Sequence, residues 1–173
     1  MSKHNRDSYF SVAFDLIVKN GEVPFDLYIN SSAKEGKDRF VRIFPAGGFL
    51  EGQDLEEFKK KYLQLYIPEG QRDLYLKSLV YCEDAPDVKK TEIIKDSAIH
   101  YLGKVFDKDK EFTTDILGEA IKGCRESVES MIDVVQDYDI SKLSDLIGEL
   151  SFHDFYTFDH SVNVSMYSIS IFK

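Results

Sequence analysis

Along the first half of the chain apolar residues recur at every second position; along the second half they recur at every third or fourth. Phe10, Val12 and Phe14 alternate with smaller or polar residues, as in a half-buried strand. Asn20-Gly21 is a turn signal. Beyond it Val23, Phe25, Leu27 and Ile29 share one face of a predicted strand running from Val23 to Asn30, with Asp26 and Tyr28 on the other. SSAKEGKD is a polar loop. A third strand follows from Arg39 to Phe44, ended by Pro45-Ala46-Gly47-Gly48. Asp54 with Glu57 three residues later has the capping-box spacing, and Leu55, Phe58 and Tyr62 continue at helical intervals. Gln64 to Pro68 reads as a fourth short strand, and Leu74, Leu76 and Leu79 as a second short helix.

The period changes at Ala85-Pro86. Ile94, Ala98, Tyr101, Leu102 and Val105 mark one amphipathic helix. Ile116, Leu117, Ala120, Ile121, Cys124, Val128, Met131, Ile132 and Val135 mark a longer one, the strongest periodic signal in the chain. Leu143, Leu146, Ile147 and Leu150 mark a third, with Ser141 near its start. The predicted fold class is therefore α+β: a small mixed α/β N-terminal module over 1–85, then an all-helical half. The latter divides into a helical linker or stalk over 86–152 and the start of a further helical domain over 153–173.

Charge follows the same division. The chain of 173 residues carries a formal net charge of −9. Residues through Ala85 hold 12 basic and 14 acidic side chains, and the rest hold 10 and 17, so most of the excess acid lies in the helical half. An acidic balance argues against broad binding to nucleic acid or to an anionic membrane. No stretch reaches the roughly 18 apolar residues of a membrane span, and the N-terminus has no apolar signal core. Cys82 and Cys124 make neither a disulfide framework nor a CxxC site, and read as small buried hydrophobes. Together these readings point to a reducing, cytoplasmic compartment.

Chemistry-bearing candidates in the first module are few. It has no Walker loop, dinucleotide fingerprint or cofactor cysteine. Arg39 and Arg42 fit an exposed strand face, Lys59 to Lys61 a solvated helix face, and Gly47-Gly48 a turn. The last segment, SFHDFYTFDHSVNVSMYSISIFK, is richer. From Thr157 or Asp159 onward it has helical spacing, with Val162, Met166 and Ile169 on one face and His160, Val164, Tyr167 and Ile171 on another. Such a helix belongs inside a larger helical core, so it reads as cut short at Lys173. By spacing alone, His160 is a helix histidine bonded to backbone, and His153-Asp154 a structural pair or cap.

The stretch His153 to Val164, HDFYTFDHSVNV, resembles the opening motif of the HD-GYP domains. These are HD-superfamily metal-dependent phosphohydrolases that cleave the bacterial second messenger cyclic di-GMP. The family pattern, roughly D-x-Y-T-x-x-H-S-x-x-V, is met by Asp154, Tyr156, Thr157, His160, Ser161 and Val164. The acidic helices before it resemble the stalk of such proteins, and VPFDLYIN…RFVRIFPAGG…YIPEGQRDLYL resembles a small N-terminal domain of some members.

The resemblance implies that His160 is the first metal-ligand histidine. Asp154, Tyr156, Thr157 and Ser161 would shape the opening turn and support that ligand. Tyr156 stands where some members carry a Glu for a third metal, so a two-metal centre of iron or manganese is implied for the complete family domain. The family's further ligands and its GYP loop are absent from these residues. The implication is an N-terminal regulatory and linker part with no catalytic residue or cofactor of its own. Cyclic di-GMP would be a partner only of a complete parent. The alternative is a stand-alone interaction or dimerisation protein of bacterial signalling with a degenerate segment of this kind. Homodimerisation through the C-terminal helices is expected in either case, burying Val128, Ile132 and Val135, with Val162, Met166 and Ile169 of the final helix.

Overall fold

The computed structural model describes residues 8–32, 38–107, 111–151, 164–169 and 171. The fold is α+β. The chain separates into two compact units, Met1–Ala85 and Pro86–Lys173.

In the first unit, strands β1 (Tyr9–Val12), β3 (Leu27–Asn30), β4 (Phe40–Phe44) and β6 (Leu65–Pro68) form an antiparallel sheet in the order β1-β6-β3-β4. Strands β2 (Gly21–Val23) and β5 (Gly48–Leu50) form a separate two-stranded ribbon. Register explains the core. Phe10 pairs with Ile67 and Val12 with Leu65, so their side chains share one face. Val12, Leu27, Leu65 and Ile67 are buried there. Helix α2 (Arg72–Val80) adds Tyr75, Leu76 and Leu79, and the Tyr75 ring meets Phe10 and Phe25 at 5.5 and 5.7 Å.

Several expectations need correction. The strand expected from Val23 to Asn30 is broken at Pro24, and its two pieces join different sheets. Proline has no N–H to offer a ladder, so a continuous central strand is not available there. Val23, Phe25 and Leu27 are nonetheless buried as the alternation requires. Phe14 lies in a 3-10 turn after β1 rather than in the strand. Among the described residues the four strands expected become six, because the strand expected from Val23 to Asn30 divides in two and Gly48–Leu50 forms another after the glycine turn. The first helix, α1 (Gly52–Lys61), begins before the expected cap: Glu51 is the N-cap, and Asp54 accepts its backbone N–H at 3.3 Å. Asp54 is thus the far member of the cap motif, not the cap. In α2 it is Tyr75 rather than Leu74 that enters the core.

The second unit contains α3 (Asp87–Val105), α4 (Thr114–Val135), α5 (Ile140–Ser151) and a helical segment at 164–169 and 171. Thr113 caps α4 through its hydroxyl, which accepts the Ile116 N–H at 3.2 Å. Ser141 lies near the start of α5 as expected, and Asp139, just before the helix, accepts the Lys142 N–H at 2.8 Å. Leu143, Leu146, Ile147 and Leu150 are buried as their spacing predicts. Helices α3 and α4 pack against each other through small residues. Ala120, Gly123, Ser127, Ser130 and Met131 are the buried positions of α4. The apolar stripe of α4 is therefore only half used: Leu117, Ile121 and Val128 remain exposed. Lys90 and Lys95 of α3 are buried among the core residues, with Lys90 Nζ 3.3 Å from Asp87. A long methylene stem lets a lysine line a core while its ammonium keeps a partner.

Candidate functional site

The motif carrying the resemblance lies almost wholly outside the described residues. His153, Asp154, Tyr156, Thr157, His160 and Ser161 are all in that category, and Val164 alone stands in a described helical segment, where it is exposed. The donor set does not fit a metal pair, since one imidazole, that of His160, is the single family ligand in the sequence. No catalytic step is derived from it. Among the described residues no group of three or more His, Cys, Asp or Glu stands close enough to hold a metal ion.

The first unit contains a cleft of about 770 Å³ beside the start of α1. Its geometry begins at Asn20, which holds φ 56°, a left-handed conformation that Asn tolerates better than most residues. In that posture the Asn20 N–H donates to Leu50 O at 2.7 Å, and Asn20 Oδ1 accepts the Gly52 N–H at 3.0 Å. One residue thus ties the end of the β2–β5 ribbon to the first turn of α1. Phe14 and Leu55 give the cleft apolar wall, and Phe49, 63% exposed, stands at its edge. Its rim is charged, with Lys19 Nζ 2.7 Å from Asp84. The Asp84 carboxylate raises the Lys19 ammonium above its ordinary range.

Arg42 does not present a free cation. Its guanidinium lies 3.3 Å from Asp26 Oδ1, which also accepts the Ala46 N–H at 3.0 Å. Gln71 completes the knot, donating from Nε2 to Asp26 Oδ2 at 3.3 Å and accepting the Asp26 N–H at 2.8 Å. The Ala46 N–H foremost, with Gln71 and Arg42, outweighs burial and holds the Asp26 carboxyl below its ordinary value. Asp26 is a fastener between the broken strand and the turn after β4. Arg39 is exposed; its backbone N–H donates to Asn30 Oδ1 at 3.1 Å, so it belongs to the hairpin closure. Lys59, Lys60 and Lys61 are exposed in the last turn of α1, where positive charge complements the helix dipole.

Alternation along the strands also builds a feature that sequence reading missed. Tyr28 pairs with Tyr66 and with Arg42, so these side chains share the sheet face opposite the core. Tyr9 stacks on Phe40 with centroids 4.1 Å apart, Tyr9 meets Tyr28 at 5.0 Å, and Phe40 meets Tyr66 at 5.1 Å. The signal was present as tyrosines at the polar positions of the period-2 pattern, but their assembly required the strand order.

In the second unit an apolar cavity of about 570 Å³ is lined by Ile132 and Val135 of α4, Ile140 and Leu143 of α5, and Ile169. Tyr138 borders it. Its hydroxyl donates to Asp87, while Lys142 Nζ sits 3.7 Å from the ring centroid. Burial pushes the Tyr138 phenol up, and the adjoining Asp87 carboxylate adds to the shift. Burial opposes ionisation of Asp87, but hydrogen bonds from Tyr138 and Lys90 prevail and lower its carboxyl. Met166 is buried in the unit and Ile169 half-buried. Met166 is therefore covered within its own chain, which corrects the expectation that a second copy covers it; Val162, expected on the same face, lies outside the described residues, and the more exposed face carries Val164, Tyr167 and Ile171. Cys82 is buried, whereas Cys124 is only half-buried; their thiols donate to Asp15 O at 3.6 Å and Ala98 O at 3.8 Å.

No protein family, curated protein or solved structure matches this chain.

Proposed function

We propose that this chain is the N-terminal regulatory and linker part of an HD-GYP-type metal-dependent cyclic di-GMP phosphodiesterase, without catalytic activity of its own. The observation that carries the reading is the sequence Asp154-x-Tyr156-Thr157-x-x-His160-Ser161-x-x-Val164. In this reading His160 is the first ligand of a pair of iron or manganese ions whose other ligands come from residues beyond this sequence. Asp154, Tyr156, Thr157 and Ser161 orient it. The first unit is the regulatory module, and α3 to α5 are the stalk. The compartment is the bacterial cytoplasm. Among the described residues no helix is long and apolar enough to cross a membrane.

Incubating the 173-residue chain with cyclic di-GMP and excess Mn²⁺ or Fe²⁺ is expected to give no linear product. Turnover above a buffer blank, retained after chelation and reloading, would overturn the assignment of the remaining ligands to other residues. A longer product that supplies those ligands is expected to hydrolyse cyclic di-GMP and to lose that activity on His160→Ala. Full activity after that substitution would remove His160 from the metal centre.

The uncovered apolar positions of α4 favour a second reading, that the chain serves as an interaction protein and forms a homodimer through its C-terminal helices. The two readings are compatible, because a stalk that dimerises can carry a regulatory signal to whatever follows it.

A further inference from the structure

We propose that the dimer forms as an antiparallel, two-fold seam between α4 helices, in which Leu117 of each copy fills the apolar cavity at the other's Ile132. This rests on the dimer reading above and is independent of the phosphodiesterase reading.

The apolar arc of α4 spans about half the helix circumference. Gly123, Ser127, Ser130, Ala120 and Met131 occupy the half buried in the unit. Leu117, Ile121, Val128 and Ile132 lie along the other half; the first three are exposed at 37, 53 and 40%. With Cys124, half-buried at the edge of α3 with its thiol 3.8 Å from Ala98 O, the series 117, 121, 124, 128 steps by four, three and four residues, which is the spacing of a coiled-coil seam. That spacing selects another helix as occupant rather than a small ligand.

The seam is also self-complementary. Ile121 and Val128 are equidistant from a midpoint between Cys124 and Arg125, and so are Leu117 and Ile132. An antiparallel copy centred there sets Ile121 against the second copy's Val128, twice, and Leu117 against the second copy's Ile132, twice. This is the isologous arrangement that closes a two-fold dimer. Ile132 lines the cavity of about 570 Å³, whose walls are apolar. Leu117 projects about 22 Å away on the same helix. Each copy thus offers one apolar knob and one apolar hole at opposite ends of the seam.

Charge fits the same orientation. Lys122, whose side chain is 71% exposed, and Glu129 lie on one flank of the seam. The antiparallel register brings Lys122 of one copy beside the second copy's Glu129, and the two-fold repeats the pair. Two Arg125 side chains approach the axis, where their long stems let the guanidinium groups turn outward. Two helices of 22 residues, each about 33 Å long, with both cavities filled, give an interface near the lower limit of specific ones, about 1,200 Å². The expected dimer is accordingly a dissociating one.

Two measurements on the full chain test this. Sedimentation equilibrium at tens of micromolar is expected to show a dimer. Ile121→Glu or Val128→Glu, both at exposed positions, is expected to weaken it at least about 30-fold while leaving the circular dichroism spectrum unchanged. Orientation is read by disulfide formation in a Cys124→Ser background. Mixing Ile121→Cys chains with Val128→Cys chains is expected to give a covalent dimer, and neither variant alone is expected to link to itself. A monomer for the unaltered chain would overturn both the seam and the dimer reading. A dimer that survives both glutamate substitutions, or in which each cysteine variant links to itself, would overturn the seam and leave dimerisation standing.

Discussion

Replacing Gly123 by alanine tests how closely α3 and α4 approach. In a helix interior the substitution by itself is favourable, by about 1 kcal/mol, because alanine loses less backbone entropy. Gly118 measures that term. It lies in the same helix, and a methyl group added there meets nothing within 4 Å. At Gly123 the same methyl falls onto the Tyr101 ring of α3, well inside van der Waals contact. The ring is not free to swing without loss. His100 lies edge-on at 5.9 Å and Lys104 Nζ stands 5.1 Å from its centroid. Overpacking of this kind costs about 1–3 kcal/mol. Gly118→Ala is thus expected to stabilise the chain by up to about 1 kcal/mol, and Gly123→Ala to be neutral or to destabilise it by up to about 2 kcal/mol. The contrast between them is the informative quantity, and it isolates the clash from propensity. For a domain of about 60–100 residues each kcal/mol moves the melting midpoint by roughly 4–8 °C, so thermal scans resolve it. Adding Tyr101→Ala to Gly123→Ala is expected to cost less than the two separate losses together, since the two residues share one contact. If Gly123→Ala proves as stable as Gly118→Ala, the close approach argued here is wrong.

Asp26→Asn is expected to cost about 1 kcal/mol, because it weakens bonds from Ala46, Gln71 and Arg42 to a half-buried carboxylate. Its carboxyl is lowered in the folded chain, so this stability is present above about pH 4 and is lost as pH falls through the folded value. Urea midpoints of the two proteins should therefore converge on acidification; a gap that is constant down to pH 2 would refute the linkage. Ser130 Oγ is buried in α4 and finds no hydrogen-bond partner among the described residues. Ser130→Ala is expected to stabilise the chain by about 0.5–2 kcal/mol, seen as a higher urea midpoint at unchanged slope, and a lower midpoint would mean that the hydroxyl is satisfied.

Local rules carried much of the fold. The change of period falls at Ala85-Pro86, where the chain divides into its two compact units, because alternation suits a strand buried on one face and a 3.6-residue repeat suits a helix. Leu143, Leu146, Ile147 and Leu150 were legible as the buried side of α5 for the same reason. The HD-GYP-like motif was legible as a string of residue types, and it lies outside the described residues apart from Val164. The sites that the structure adds were not legible. Asp26, Arg42 and Gln71 are far apart in sequence and meet only through the folding of the broken strand.

What the sequence by itself determined is the class of each segment and the set of apolar positions in it. Which of those positions are covered was decided by tertiary packing. In α4 the stripe is continuous in sequence, but α3 approaches the side built from Gly123, Ser127 and Ala120, where small side chains permit the closest backbone contact. Leu117, Ile121 and Val128 are more hydrophobic, yet they are left outside. A helical period states that a face is apolar; it does not state which part of a wide face a neighbour will take, because that depends on shape as well as on transfer energy.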